Sequence, residues 1–300
     1  MKFKQWNPDK VKVYFINLWD DRPGTKIQHT AAAWDQRADQ WEKRLRHDEA
    51  KIERTDHRID AVIKYLLDQG HLQPHHNVVD IGCGPGRFVA EFAKRTEFCL
   101  GIDLSPKMID YATAFAHEQN VTNAEFVAAD FAAVDIDRVG WRQRFDLVFS
   151  YTTPALSRRE DIRKSIAMSC GWCMHCGFVD SQDHLREDVC REVFGAATPR
   201  TGGGNHMYAL FNLLWLEGYK PYVHYFSERH MDLVTVTADL ARQICERIDC
   251  GDMPSSEAAK RVLHYLKGRA DAAGHIEYPF DATYMWLLWD TTEVSNHSLS

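Results

Sequence analysis

Residues 78–88, VVDIGCGPGRF, form a short apolar run that ends on Asp80 and then sets Gly82, Gly84 and Gly86 at every second position. Glycines in such a turn open the backbone so that a ligand can lie against it. The spacing narrows the ligand. A dinucleotide loop reads G-x-G-x-x-G, and here the place of its third glycine is held by Arg87. A Walker loop is excluded because no Gly-Lys-Ser/Thr follows. Asp103, in CLGIDLS, closes the next apolar run seventeen residues after Gly86. A carboxylate there can accept both hydroxyls of a ribose, which calls for a nucleoside and no phosphate.

Such residues need a parallel sheet to hold them at one edge. From residue 77 the sequence alternates β-rich runs with amphipathic helices: strand 78–81, helix 87–95, strand 98–102, helix 106–118, and strands 124–128 and 145–149. Ser105-Pro106 offers an N-cap and a first-turn proline for the second of these helices. Ahead of the sheet, helices are expected from Ala31 to Leu45, and over Ile59, Val62, Ile63, Leu66 and Leu67. Beyond residue 150 the reading gives a helix at 158–169, a strand near 172–179, a helix at 183–194 and a glycine-bearing hinge loop at 198–205. A strongly apolar helix at 206–217, a strand at 220–228, helices around 237–249 and 255–272, and a last strand at 280–289 complete it.

In order, DIGCGPGRF, GIDLSPKMIDYA, EFVAADF and FDLVFSY resemble the successive motifs of class I S-adenosylmethionine-dependent methyltransferases of the small-molecule type, over about residues 75–150. The resemblance implies an α/β, Rossmann-like, seven-stranded and mostly parallel sheet whose last strand (280–289) is antiparallel beside strand 220–228. It also implies S-adenosylmethionine as cofactor and S-adenosylhomocysteine as product. Carried over position by position, Asp80 and the turn Gly82, Cys83, Gly84 and Gly86 would embrace the methionine part. Asp103 would take the ribose hydroxyls, with Leu104 and Met108 beside the adenine. Asp130 would receive the adenine amino group, with Phe131 alongside, and Ser150 and Tyr151 would line the sulfonium. A helix ahead of the core with a W-D-x-x-A pattern, here Trp34 to Ala38, acts as a lid in many such enzymes. Trp34 and Trp41 would then close the site, and an aromatic face favours a sulfonium by cation–π attraction. Residues 1–72 are accordingly read as an extension and helical lid, and 73–300 as the methyltransferase core with helical insertions at about 182–205 and 232–275.

A sulfonium is already a good leaving group, so positioning and exclusion of water outrank proton chemistry. Tyr151 and His184 are the candidate catalytic groups, the histidine as a base titrating near neutrality; Asp180, His206, Tyr208 and Asn212 are further pocket candidates. Nucleobase and amide N-methyltransferases of this kind carry Asp/Asn-Pro-Pro-Tyr after the fourth strand, whereas this chain reads Ser150-Tyr151-Thr152-Thr153-Pro154. That favours a small-molecule acceptor. Cys170, Cys173 and Cys176 spell C-x2-C-x2-C, yet on a strand Cys173 and Cys176 point to opposite faces, so no metal site is expected. A net charge of −7, with interleaved bases and acids, argues against a nucleic-acid partner. No run reaches the ~18 apolar residues of a membrane span, and the first thirty residues lack a signal-peptide core. A cytoplasmic location with reduced thiols is expected. Two other readings remain: a nicotinamide-dependent oxidoreductase, which lacks a Tyr-x-x-x-Lys pair, and a non-catalytic S-adenosylmethionine-binding module.

Overall fold

A computed structural model describes residues 7–20, 30–196 and 204–295. The glycine hinge expected at 198–205 lies almost wholly outside them. The chain forms two compact units: residues 1–177, 206–224 and 286–300 make the first, and 178–205 with 225–285 the second.

The first unit opens with a helix that sequence reading missed, α1 (Pro8–Asp20). Its signal was present, because Val11, Phe15 and Trp19 recur every fourth residue behind a first-turn proline. Phe15 and Trp19 are buried, and the Trp19 indole donates to the Ser157 carbonyl at 3.0 Å. The helices α2 (Ala31–His47) and α3 (Glu49–Asp68) follow, capped by the side chains of Thr30 and Asp48. Next come β1 (Asn77–Ile81), α4 (Arg87–Ala93), β2 (Phe98–Asp103), α5 (Pro106–Glu118), β3 (Ala124–Ala128) and β4 (Phe145–Tyr151). Ser105 caps α5 ahead of Pro106, as the sequence implies. After β4 a single 3-10 turn leads into α6 (Arg159–Met168) and β5 (Ser169–Asp183).

Later elements are α7 (His184–Phe194), α8 (Gly204–Leu216), β6 (Tyr222–Thr235), α9 (Ala238–Cys245), α10 (Ser255–Arg269) and β7 (His275–Asp290). The seven strands run in the order β3-β2-β1-β4-β5-β7-β6, with β3, β2, β1, β4 and β5 mutually parallel. The last strand is antiparallel, as expected: Thr291 donates to the carbonyl of Gly171 near the start of β5, and His224 of β6 stacks on Trp286 of β7. Val78, Val79, Ile81, Leu100, Ile102, Leu147 and Phe149 are buried, the near-continuous apolar reading of strands covered on both faces. Cys173 and Cys176 do face opposite ways: the first contacts the Ser165 carbonyl on α6, the second lies toward Tyr65 on α3.

The strands β5, β6 and β7 are far longer than their expected spans, and residues 178–183, 225–235 and 275–285 of them belong to the second unit. There α7, α9 and α10 build a separate core of Leu185, Val189, Ala241, Ile244, Val262, Leu266 and Ile276. The segments expected as helical insertions therefore contain strand as well as helix. Alternating exposure along β6 is what a one-face-buried strand shows.

Candidate functional site

The parallel register puts the ends of β1, β2 and β4 at one edge of the first unit, where a cavity of about 400 Å³ opens. Asp80 and Asp103 reach it from β1 and β2, Leu104 and Met108 from the start of α5, and Asp130 and Phe131 from the segment after β3. Cys83 and Gly84 line it from the glycine turn, Tyr151 from the end of β4, and Trp34 and Trp41 from α2.

Asp103 is held by its own neighbourhood. One carboxylate oxygen accepts the Gly84 N–H and the other the Ser105 N–H, each at 2.9 Å. Each oxygen keeps acceptor capacity for an outside donor. Burial pushes this carboxyl above its usual value, with the backbone donors pulling the other way. Asp80 is 3 % exposed, and burial, then the neighbouring Asp103, holds its carboxyl well above the ordinary 3.8. Gly84 has φ +52°, and nothing lies within 4 Å of where its Cβ would be, so the main chain is bare toward the cavity.

Three expected residues lie elsewhere. Gly86 caps α4 and packs against Ala112 and Phe126, away from the cavity lining. Ser150 is buried and hydrogen-bonded to His175 Nδ1 at 2.7 Å, because side chains alternate along β4 and Ser150 points into the layer behind Tyr151. His184 belongs to the second unit, where its Nε2 pairs with Asp281 at 3.0 Å, and it does not line the cavity. His206 and Tyr208 pack against Trp19 and Phe15 of α1, and with Asp180 and Asn212 they lie outside the lining set.

Other lining residues went unrecognised in the sequence. Thr152 and Thr153 line the cavity after β4, and Thr152 has φ +46°, a strained conformation for a β-branched residue. From α3 come Lys51, Thr55 and Arg58, and Arg158 lies beside Asp161 with a hydrogen bond of 2.8 Å. Arg87, which occupies the third-glycine place of a dinucleotide loop, sits 3.7 Å over the Phe115 ring. No sequence periodicity marks these positions; only the folded arrangement of α2, α3 and the loop after β4 brings them together.

Polar contacts fasten α2 to α5. Asp35 accepts from the Ser105 hydroxyl and from the Lys107 N–H, placing a carboxylate at the helix N-terminus. Asp39 accepts from Lys107 and Tyr111, and Arg46 forms a two-pronged pair with Glu118 at 3.0 and 2.9 Å. Arg46 also meets the buried Glu42, toward which Arg87 reaches.

Lys164 of α6 shapes the floor. Its ammonium donates to the carbonyls of Phe131, Ala132 and Val134 at 2.8, 2.9 and 2.9 Å. Replacing Lys164 by Met is expected to leave three carbonyls short of a donor and to let the Phe131 segment drift. Ligand affinity should fall about tenfold with a smaller loss of stability, read by titration calorimetry beside thermal melting. Unchanged affinity would show that the segment holds its shape without this tether.

A model of the methyltransferase domain family matches residues 78–173. This stretch is a methyltransferase domain. Among curated relatives, the 23S rRNA (uracil(1939)-C(5))-methyltransferase RlmD of Psychromonas ingrahamii is 35% identical over 78 residues, 26% of this chain and 18% of that protein. The 2-heptyl-1-hydroxyquinolin-4(1H)-one methyltransferase of Mycobacteroides abscessus is 30% identical over 104 residues, 34% of this chain and 43% of that protein. The match thus spans less than half the length of these relatives. The YcgJ protein of Bacillus subtilis is a similar solved structure, with a TM-score of 0.48 and 16% identity over 78% of this chain and 98% of that one. Among the described residues, no group of three or more His, Cys, Asp or Glu is placed to hold a metal, and no helix is long and apolar enough to cross a membrane.

Proposed function

We propose that the chain transfers a methyl group from S-adenosylmethionine to a small molecule. The observation that carries this reading is Asp103: a half-buried carboxylate at the end of β2, steadied by two backbone N–H groups beside a bare glycine turn, with spare acceptor capacity toward the cavity. It fits a nucleoside with two vicinal hydroxyls, and the matched methyltransferase domain supports the assignment. Leu104, Met108 and Phe131 offer apolar surface to the adenine, and Asp130 an acceptor at its edge. Asp80 and the main chain at Gly84 meet the amino-acid end, where an ammonium offsets a carboxylate that burial disfavours. When bound, S-adenosylmethionine supplies an electrophilic methyl group and a thioether leaving group.

The protein's work is then orientation and dryness. Trp34 and Trp41 cover the cavity from α2, and Tyr151 with the strained Thr152 shapes the side where an acceptor enters. Tyr151 is the candidate to hold or receive an acceptor proton. A small acceptor is favoured by Ser150-Tyr151-Thr152-Thr153-Pro154, the net charge of −7 and the quinolone named for one relative. Against the nicotinamide reading stands Arg87, whose guanidinium fills the place where a dinucleotide loop needs glycine. Calorimetric titration with S-adenosylmethionine, S-adenosylhomocysteine and NADH tests the proposal. The first two should bind and NADH should not; the reverse order sinks it. Methyl transfer across an acceptor panel then separates an enzyme from a silent binding module.

Asp80 should show itself in pH dependence. A carboxyl raised in the folded state contributes stability that is complete below the unfolded value of 3.8 and is lost as pH rises through the folded value. Asp80→Asn is therefore expected to melt higher than the parent at neutral pH in the absence of ligand, and to flatten the decline above 3.8. It should also bind S-adenosylmethionine about tenfold more weakly, having lost a charge-assisted contact. Scanning calorimetry across pH, paired with titration, checks the opposite signs; a variant less stable than the parent at neutral pH would contradict them.

A further inference from the structure

We propose that Cys245 and Cys250 form a dithiol site that closes reversibly to a disulfide by exchange with a small organic disulfide, fastening the end of α9 to the turn that leads into α10. The inference is independent of the methyl-transfer reading, because both residues belong to the second unit. Cys245 is the last residue of α9, and Cys250 follows just ahead of Gly251, whose φ is +63°. Between them the chain turns back. The Glu246 N–H donates to the Arg242 carbonyl and the Arg247 N–H to the Ile244 carbonyl, each at 3.0 Å, and the Cys250 thiol then meets the Cys245 carbonyl at 3.9 Å. The two thiols also hydrogen-bond one another.

Exposure sets this pair apart. Both thiols are half-buried and within reach of a small reagent, whereas Cys83, Cys99, Cys173, Cys176 and Cys190 are buried. Cys170 is exposed, but its thiol faces the Asp146 carboxylate at 3.9 Å. Ala241 and Ile244 anchor α9 in the core it shares with Val262 and Leu266 of α10, which holds the two sulfurs near one another. Burial, then the neighbouring Cys250, pushes the Cys245 thiol up to about 11, so exchange near neutrality is slow. The step balances. The thiolate of one cysteine attacks a sulfur of the reagent, whose other half leaves as a thiolate. The second cysteine, as its thiolate, attacks the protein sulfur of this mixed disulfide and expels the remaining half. The two cysteines lose two electrons and two protons, and the reagent gains both to become two thiols. Glu246, Asp249 and Asp252 flank the pair, so an uncharged disulfide meets less repulsion than anionic glutathione disulfide.

The test incubates the full chain with bis(2-hydroxyethyl) disulfide at mildly alkaline pH, alkylates the remaining thiols and digests with trypsin. Cleavage after Arg247 leaves Cys245 in peptide 243–247 and Cys250 in peptide 248–260, so the bond joins two peptides that otherwise separate. Mass spectrometry is expected to find the joined pair about tenfold more abundant than any other cysteine cross-link, and dithiothreitol should abolish it. In Cys245→Ser and in Cys250→Ser the reagent's half should stay on the remaining cysteine, since no second thiol expels it. The amides of residues 245–250 should exchange with deuterium about tenfold more slowly in the oxidised parent than in the reduced one. The parent's peptide map decides the matter even where a variant folds poorly. Reagent halves standing on both cysteines without the joined peptide would show that the sulfurs cannot meet, and two unmodified thiols or a dominant cross-link elsewhere would place the reactivity outside this pair; each overturns the proposal. Equal deuterium exchange in the two forms would overturn the fastening of α9.

Discussion

Asp103→Ala is expected to cost about two orders of magnitude or more in S-adenosylmethionine affinity. Two hydroxyls donating to a half-buried carboxylate are each worth about 1.5–3 kcal/mol, and about 2.8 kcal/mol is a hundredfold. The loss has a second component inside the protein. The Gly84 and Ser105 N–H groups both lose their acceptor, so the glycine turn and the start of α5 should loosen and the apoprotein melt lower. Asp103→Asn separates the two effects in part, because its carbonyl oxygen keeps one of the two backbone donors while its NH2 group faces the other and the charge is gone. Its melting should fall between those of the alanine variant and the parent, with affinity reduced tenfold or so. Full affinity in the alanine variant would place the ribose elsewhere and remove the central support of the functional proposal.

Gly82→Ala is expected to cost about 3 kcal/mol or more of stability, combining a disfavoured backbone with overpacking. Gly82 sits at φ +78°, and a Cβ there would come within 1.9 Å of the Thr153 hydroxyl oxygen and 2.6 Å of the Thr153 Cβ. Neither atom is the end of a long side chain that can swing aside. The turn and the loop after β4 must therefore part, and both line the cavity. Chemical denaturation measures the loss. The double variant Gly82→Ala/Thr153→Gly should recover part of it, since the clashing atoms are gone and only the backbone strain remains. A single variant as stable as the parent would mean that the loop after β4 yields freely.

The contrast between what the sequence disclosed and what it withheld follows from the range of the forces involved. Local signals were readable: Ser105-Pro106 begins α5, alternating apolar runs mark the parallel strands, and glycines at every second position open the turn beside Asp103. Asp80, Asp103, Asp130 and Phe131 were legible because the ends of parallel strands share one edge whatever the loops do. Ser150 was misplaced by a single position of strand alternation, and its neighbour Tyr151 took the cavity. His184 follows a strand whose length no local pattern limits; β5 continues to Asp183, carrying the histidine into the second unit. Lys51, Arg58 and Lys164 were invisible for a different reason. Each looks like an ordinary cation on a helix surface, and its meaning depends on contacts or walls contributed from far along the chain.

The way α2 is fastened has a consequence for turnover. Only Ala38, Glu42 and Leu45 of this helix are buried, and Trp41 is 43% exposed. Its moorings to α5 are carboxylates, an ammonium, a guanidinium and a phenol at the protein surface. Such moorings weaken as dissolved ions shorten the reach of charge, whereas the greasy interior beneath is indifferent to them. Under the proposed methyl transfer, entry and exit of the nucleoside are accordingly expected to quicken in brine without the sheet giving way, which release rates measured across ionic strength would check.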